Sequence, residues 1–158
     1  MIPPFNRHGE LPPGVHGATV AEFLRRFGAG DRRRMLLALL WYALRALART
    51  GIDRVYIAGS FVTDAEEPED VDAAWVPGPG FDRSRLTSEF LEGSGTLAAQ
   101  ADIPGLHLFP DIVGGALATG WLCQVRGHPE RTKGVVLLRL VEGASSVAGQ
   151  PREDGVTQ

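Results

Sequence analysis

The segment from Arg54 to Trp75, RVYIAGSFVTDAEEPEDVDAAW, constrains the fold more than any other part of the chain. Its residues 55–58 are rich in β-branched and aromatic side chains, which predicts a short buried strand. Asp70 and Asp72 follow after a turn and an acidic spacer. A second strand from Val71 to Trp75 would alternate its side chains between two faces. Both carboxylates then lie on one face of an α/β sheet.

This layout predicts a site for a phosphate and a metal ion. Gly59 lets the backbone turn sharply as it leaves the first strand, so a phosphate can closely approach the amide and hydroxyl of Ser60. Asp70 and Asp72 offer hard oxygen ligands for Mg²⁺, which usually takes one or two protein carboxylates together with substrate phosphates and waters. We therefore expect Gly59 and Ser60 to bind phosphate, and Asp70 and Asp72 to bind the metal.

These residues resemble the motif of nucleotidyltransferases of the polymerase-β superfamily. In that motif an apolar residue and Gly-Gly or Gly-Ser precede, after a short spacer, Asp-apolar-Asp or Asp-apolar-Glu. The chain supplies Ala58-Gly59-Ser60, a spacer of nine residues and Asp70-Val71-Asp72-Ala73. From Ile2 to about Val141 the chain also resembles a little-characterised family of bacterial nucleotidyltransferase-like proteins. The flanking residues behind that likeness are IPPF at the start, Gly9, LPPG, His16, Glu22-Phe23, Arg26-Phe27 and Lys133-Gly134.

The resemblance implies a nucleotidyltransferase-like α/β fold, with a small mixed sheet and helices packed against it. It also implies a Mg²⁺-dependent reaction. A nucleotidyl group would pass from a nucleoside triphosphate such as ATP to a protein, an RNA or a small molecule, with pyrophosphate leaving. Small members of the superfamily often act in toxin–antitoxin pairs, so the resemblance further implies a partner protein or a small RNA.

One position departs from the superfamily pattern. Its enzymes usually carry a third carboxylate on a neighbouring strand, where it helps to bind the metal and takes the proton of the attacking hydroxyl. The expected strand reads GLHLF at 105–109, so His107 stands where an aspartate is anticipated, and Asp111 is the nearest substitute. His107 and Asp111 are therefore candidate catalytic residues beside Asp70 and Asp72. Because an imidazole is a poor ligand for Mg²⁺, the alternative is a catalytically weakened module that binds a nucleotide or a partner protein.

The acidic spacer also has a plainer interpretation. Six carboxylates lie within the nine residues from Asp64 to Asp72, and such a run is commonly a solvated loop. An unrelated α/β domain with an acidic loop is thus a third hypothesis. The spacing lacks the glycine and the distal glutamate of an EF-hand, which argues against a calcium loop.

The rest of the chain predicts one domain over residues 1–142, which begins with an extended arm over residues 1–17 laid on the domain, and a disordered tail over residues 143–158. Thr19 and Glu22 form a capping box for a first helix. A second helix is expected over residues 32–49. The sequence also predicts a cap at Asp31 for the second helix, and solvent-facing or partner-binding side chains at Arg32, Arg33 and Arg34. A strand is expected through Trp121, Cys123 and Val125, with Trp121 in the core and Cys123 buried.

Composition limits the partners and the compartment. A net charge of −3 argues against general DNA binding, which usually needs a basic stripe. The longest apolar run, Met35 to Leu44, is too short to span a bilayer, so no membrane is expected. Cys123 is the only cysteine, which suits a reducing compartment. We therefore expect a cytoplasmic protein.

Overall fold

The computed structural model describes residues 1–87, 104–111, 114–116 and 118–140. The predicted tail over residues 143–158 lies outside these ranges. Within them the chain forms a mixed α/β structure, a five-stranded sheet with helices packed against it, and this confirms the fold class expected from the sequence.

Seven strands and two α-helices follow one another along the described chain. In order they are β1 (Val15–Ala18), α1 (Val20–Phe27), α2 (Asp31–Ala48), β2 (Ile52–Ala58), β3 (Val71–Pro77), β4 (Leu106–Pro110), β5 (Gln124–Val125), β6 (His128–Thr132) and β7 (Val135–Arg139). The main sheet has the order β1-β7-β2-β3-β4, and β5 pairs with β6 in a separate hairpin. The strands β1 and β7 are parallel, as are β3 and β4, while β2 is antiparallel to both of its neighbours.

The two α-helices differ in how they begin. Thr19 caps α1: its hydroxyl accepts a hydrogen bond from the Glu22 amide, and the Glu22 carboxylate accepts one from the Thr19 amide. The predicted capping box is therefore confirmed. The predicted cap of α2 is wrong, because Gly30 is the capping residue and Asp31 is already helical. Gly30 has a φ of 94°, a value that glycine adopts without strain.

The sheet divides the core into two layers. On one face, α1 and α2 pack against the sheet, and the buried side chains include Phe23, Leu36, Leu40 and Trp75. The opposite face is covered by a π-helical turn at Ala118–Leu122. The buried side chains of this second layer are those of Tyr56, Ala58, Ala74, Val76, Ala118, Leu122, Cys123 and Val135. Alternation along β2 and β3 sends successive side chains to these two layers.

The N-terminal arm is joined to the domain by backbone hydrogen bonds. Leu11 is fully buried, and its carbonyl accepts a hydrogen bond from the Gly134 amide. Residues 15–18, of which 15–17 belonged to the predicted arm, form the edge strand β1 beside β7. β1 has only four residues, and more than a hundred residues separate it from β7 in the chain. No local sequence pattern therefore predicts that the two strands pair.

The region before β7 also differs from the expectation. Trp121 belongs to the π-helical turn and not to a strand, and its side chain is 54% exposed. Cys123 is buried as predicted. The alternating apolar residues at 121, 123 and 125 suggested strand periodicity, but only Gln124 and Val125 pair with β6.

Candidate metal and phosphate site

Three neighbouring strands bring the predicted metal ligands to one end of the sheet. Ala58 at the end of β2 lies opposite Asp72 near the start of β3, and Asp72 lies opposite His107 on β4. Asp70 precedes β3 by one residue. The strands β2 and β3 are therefore adjacent, and Ser60, Asp70 and Asp72 converge at one end of the sheet.

Asp70, Asp72 and His107 form a compact cluster of possible ligands. One ligand atom from each lies within 4.8 Å of the others. The His107 Nδ1 atom is 3.0 Å from Oδ1 of Asp72 and 3.5 Å from Oδ2 of Asp70. The two carboxylates are 27% exposed and the imidazole 49%, so a small ligand can reach all three. Two carboxylates and an imidazole form a donor set suited to a divalent cation.

Gly59 is required by the close approach of the chain to Asp72. Its φ is 79°, and a Cβ placed on it would lie 2.8 Å from Oδ2 of Asp72. Only glycine combines this backbone conformation with such a short distance to the carboxylate. The Gly59 position therefore keeps the start of the 60–62 turn directly beside the acidic pair.

Ser60 connects the same turn to the carboxylate of Asp70. Its Oγ accepts a hydrogen bond from the Glu69 amide at 3.0 Å and lies 3.4 Å from Oδ1 of Asp70. A phosphate that approached this hydroxyl would thus also approach the metal ligands. The structure brings together all the residues predicted for phosphate and metal binding.

Asp111 is the predicted site residue that the structure does not bring into the cluster. It follows β4 four positions beyond His107, which is about 13 Å along a strand. Its side chain is buried, with Oδ2 accepting a hydrogen bond from the Ala118 amide at 3.1 Å. Asp111 therefore holds the π-helical turn in place and is not one of the clustered ligands.

Burial and mutual repulsion both act on the carboxylates of the cluster. Burial raises the pKa of Asp72, and the charge of Asp70 raises it further. The hydrogen bond with His107 and the charge of Lys133 oppose this rise without cancelling it. A divalent cation between the carboxylates would relieve the same repulsion.

Lys133 is a charged residue near the site that sequence reasoning named only as part of a flanking motif. It lies two residues before β7, and the β2–β7 register, in which Ile57 faces Val136, puts it at the same end of the sheet as Ser60. Its amide donates a hydrogen bond to the Cys123 carbonyl, which fixes its backbone. The signal in the sequence was that Lys133 is the only lysine in the chain.

Arg33 holds the spacer between Ser60 and Asp70 from the inside. Its guanidinium is almost fully buried and donates to the carbonyls of Phe61, Thr63 and Ala65 at 2.7, 2.9 and 2.6 Å. The prediction that Arg33 faces solvent or a partner is therefore wrong. Burial removes water from the guanidinium, and the three carbonyl oxygens of the loop replace the hydrogen bonds that water would have made.

Arg32 holds the far end of the same spacer. Its Nε donates to the Pro68 carbonyl at 2.9 Å and its Nη2 donates to the Glu69 carbonyl. These bonds replace the solvent-facing orientation that we expected, whereas Arg34 is exposed as predicted and pairs with Asp31. The start of α2 thus fixes the loop that leads into the acidic pair.

A cavity of about 580 Å³ lies elsewhere, between the ends of β1 and β7 and the start of α1. It is lined by Gly17, Thr19, Glu22, Leu137 and Arg139, among others, and by none of the clustered ligands. We do not assign the functional site to this cavity, because the clustered carboxylates and the imidazole lie at the other end of the sheet.

The model of a family of unknown function (DUF6932) matches residues 3–128. The matched range includes both carboxylates, His107 and the Gly-Ser turn. Comparison with curated proteins and with solved structures finds no match. In the part of the chain that the structure describes, no helix has the length and apolar character needed to cross a bilayer.

Proposed function

We propose that this chain, which belongs to the family of unknown function (DUF6932), is a nucleotidyltransferase-like protein that binds a divalent cation together with a nucleoside triphosphate. Asp70 and Asp72 hold the cation, with Mg²⁺ as the expected ion, and His107 lies beside them as the candidate base. Gly59 and Ser60 hold the terminal phosphates. The reaction is transfer of the nucleotidyl group to a hydroxyl of a protein, an RNA or a small molecule.

One observation supports this proposal most strongly. The Gly-Ser turn and the two carboxylates meet at the ends of adjacent strands, with Oγ of Ser60 3.4 Å from Oδ1 of Asp70. A solvated acidic loop would not require a glycine whose missing side chain makes room for Asp72. Nor would it require two buried or half-buried arginine contacts to the loop backbone.

The residues suit the charges that change during such a transfer. An oxygen of the acceptor bonds to the α-phosphorus while the bond to the bridging oxygen breaks, and pyrophosphate leaves with the electron pair. Mg²⁺ at the carboxylates would supply charge stabilisation for the phosphates. Lys133 adds a positive charge at the same end of the sheet. The half-exposed imidazole of His107 can take the proton that the acceptor hydroxyl loses.

A second candidate function rests on the position of His107. It lies opposite Asp72, where the superfamily resemblance implies a third carboxylate. An imidazole adds no negative charge and is a softer ligand than a carboxylate, which suits Mn²⁺ or Zn²⁺ better than Mg²⁺. The chain would then be a weakened module that binds a nucleotide, or a partner protein, with little turnover.

Titration calorimetry followed by a transfer assay tests both candidates. We expect ATP to bind only when Mg²⁺ or Mn²⁺ is present. Incubation with α-labelled ATP and a cell lysate then distinguishes an enzyme, which labels an acceptor, from a binding module, which does not. Absence of any metal-dependent binding across the four common nucleoside triphosphates would contradict both the enzyme and the nucleotide-binding module.

A further inference from the structure

Trp121 is the most unusual exposed side chain near the proposed site. It is 54% exposed, although Leu122 beside it and Ala118 three residues earlier are buried against the sheet. Exposing an indole costs free energy that a smaller or polar residue would save. The surrounding turn therefore presents Trp121 outward from a well-packed base.

Two side-chain contacts hold the turn that carries Trp121. The Ala118 amide donates to the buried carboxylate of Asp111, and the Cys123 thiol lies 3.2 Å from the Ala118 carbonyl. The turn is also π-helical, a geometry often found at functional sites. An aromatic ring on such a support is preorganised, so little conformational entropy is lost when a ligand binds to it.

Phe109 connects this ring to the carboxylate cluster. The rings of Phe109 and Trp121 are perpendicular, with centroids 5.2 Å apart. Phe109 is two residues beyond His107 on β4, so both side chains share one face of the sheet, about 7 Å apart along the strand. The same face carries Asp72, which lies opposite His107.

We propose that Trp121, supported by Phe109, is the stacking surface for the nucleobase of the nucleotide whose phosphates lie at Asp70 and Asp72. This inference rests on the proposed function and names a further part of its ligand. A nucleotide matches both neighbouring features, because its phosphates can bind a cation held by the carboxylates and its base can stack on the ring. Stacking on an exposed ring accepts every base, so the surface would strengthen binding without selecting one nucleotide strongly.

The test compares ATP with inorganic triphosphate, which has the charges of the nucleotide but no base. Both are titrated in the presence of Mn²⁺ into the natural protein, Trp121→Ala, Trp121→Phe and Tyr42→Ala. Tyr42 is a matched control because it is an aromatic residue, 58% exposed, on α2 away from the cluster. Circular dichroism and thermal melting establish that each variant is folded.

The expected result is selective for the base. Trp121→Ala weakens ATP binding about tenfold and leaves triphosphate binding unchanged, because one stacking contact is lost. Trp121→Phe retains most of the affinity, and Tyr42→Ala retains all of it. In the natural protein, ATP also quenches tryptophan fluorescence more than triphosphate does, and Trp121→Phe removes that difference.

Other outcomes separate this inference from the proposed function. If triphosphate and ATP bind the natural protein equally, or if Trp121→Ala weakens both alike, the stacking surface is refuted while the metal and phosphate site stands. If neither ligand binds with Mn²⁺ or Mg²⁺, the proposed function itself fails, and the stacking inference fails with it.

Discussion

Asp72 and His107 lie directly opposite each other on the parallel strands β3 and β4, with Oδ1 and Nδ1 3.0 Å apart. Strand register alone sets this relationship, since 35 residues separate the two in the chain. A slip of one residue would turn one of the side chains to the opposite layer of the core. The buried neighbours Val71, Ala73, Leu106 and Leu108 prevent such a slip.

The first prediction concerns the two carboxylates. In the double variant Asp70→Asn and Asp72→Asn, we expect metal-dependent nucleotide binding to be lost. The reduction in affinity should exceed the roughly 10- to 100-fold cost of losing only a supporting hydrogen bond at a metal ligand. Burial, and then the charge of Asp70, raise the pKa of Asp72, so removing both charges should increase the thermal stability of the metal-free protein at neutral pH. Calorimetry and thermal melting measure the two effects.

The matched control for this variant is Glu66→Gln with Glu67→Gln. It removes the same number of charges from the same acidic run, and both side chains are exposed. We expect nucleotide binding and melting temperature to stay close to those of the natural protein. Equal loss of binding in both double variants would indicate that only the total negative charge of the loop matters.

The second prediction concerns Arg33. Replacing it with alanine leaves the carbonyls of Phe61, Thr63 and Ala65 without their donor. At about 1–3 kcal/mol for each buried unsatisfied group, the free energy of unfolding should fall by at least about 3 kcal/mol. Denaturant titration measures the change. Arg34→Ala, on the exposed side of the same helix turn, should change it by less than about 0.5 kcal/mol.

A small effect of Arg33→Ala would mean that water reaches the loop and replaces the guanidinium. The loop from Ser60 to Asp70 would then be positioned mainly by Gly59 and Ser60. Nucleotide binding measured on the same variant distinguishes the two cases, because a displaced loop moves Asp70 relative to Asp72.

The sequence predicted the parts of the site that depend on local spacing. Gly59-Ser60 and the alternation at Asp70 and Asp72 are short-range patterns, and the structure has both in the expected places. Thr19 and Glu22 likewise reveal α1 because a capping box is complete within one helical turn. These features follow from the preferences of neighbouring residues.

The sequence failed where a contact joins distant parts of the chain. In the sequence, Arg33 is one of three consecutive arginines with nothing to distinguish it. Its role depends on the loop around Phe61, which is distant in the chain and packs on its guanidinium. The pairing of β1 with β7 is invisible to periodicity because the partners are more than a hundred residues apart. Trp121 has the spacing of a buried strand residue, yet the π-helical turn rotates it outward.

A third prediction tests the packing of that turn through Cys123. Burial raises the pKa of the Cys123 thiol, so the reactive thiolate is scarcer at neutral pH than in a free cysteine. We expect iodoacetamide to modify the native protein far more slowly than the unfolded protein in urea. Mass spectrometry at a series of times gives both rates. Similar rates in the two states would show that the turn opens readily.

The last prediction uses His107 to distinguish an enzyme from a binding module. His107→Asp gives the cluster three carboxylates on adjacent strands, which is the set that the superfamily resemblance implies. Carboxylates suit Mg²⁺ better than imidazole does, so ATP binding in the presence of Mg²⁺ should strengthen by about tenfold. The difference between the ATP affinities measured with Mn²⁺ and with Mg²⁺ should become smaller. Transfer from α-labelled ATP to an acceptor in lysate should also rise above that of the natural protein.

His107→Asn is the control, because it has nearly the size of aspartate but no charge. It should strengthen neither Mg²⁺ binding nor transfer, since an added carboxylate is what the prediction depends on. If the natural protein already transfers the nucleotide efficiently and both variants reduce the rate, the imidazole itself serves as the base. The weakened-module hypothesis is then wrong, and His107, half-exposed and 3.0 Å from Asp72, is the residue that accepts the proton.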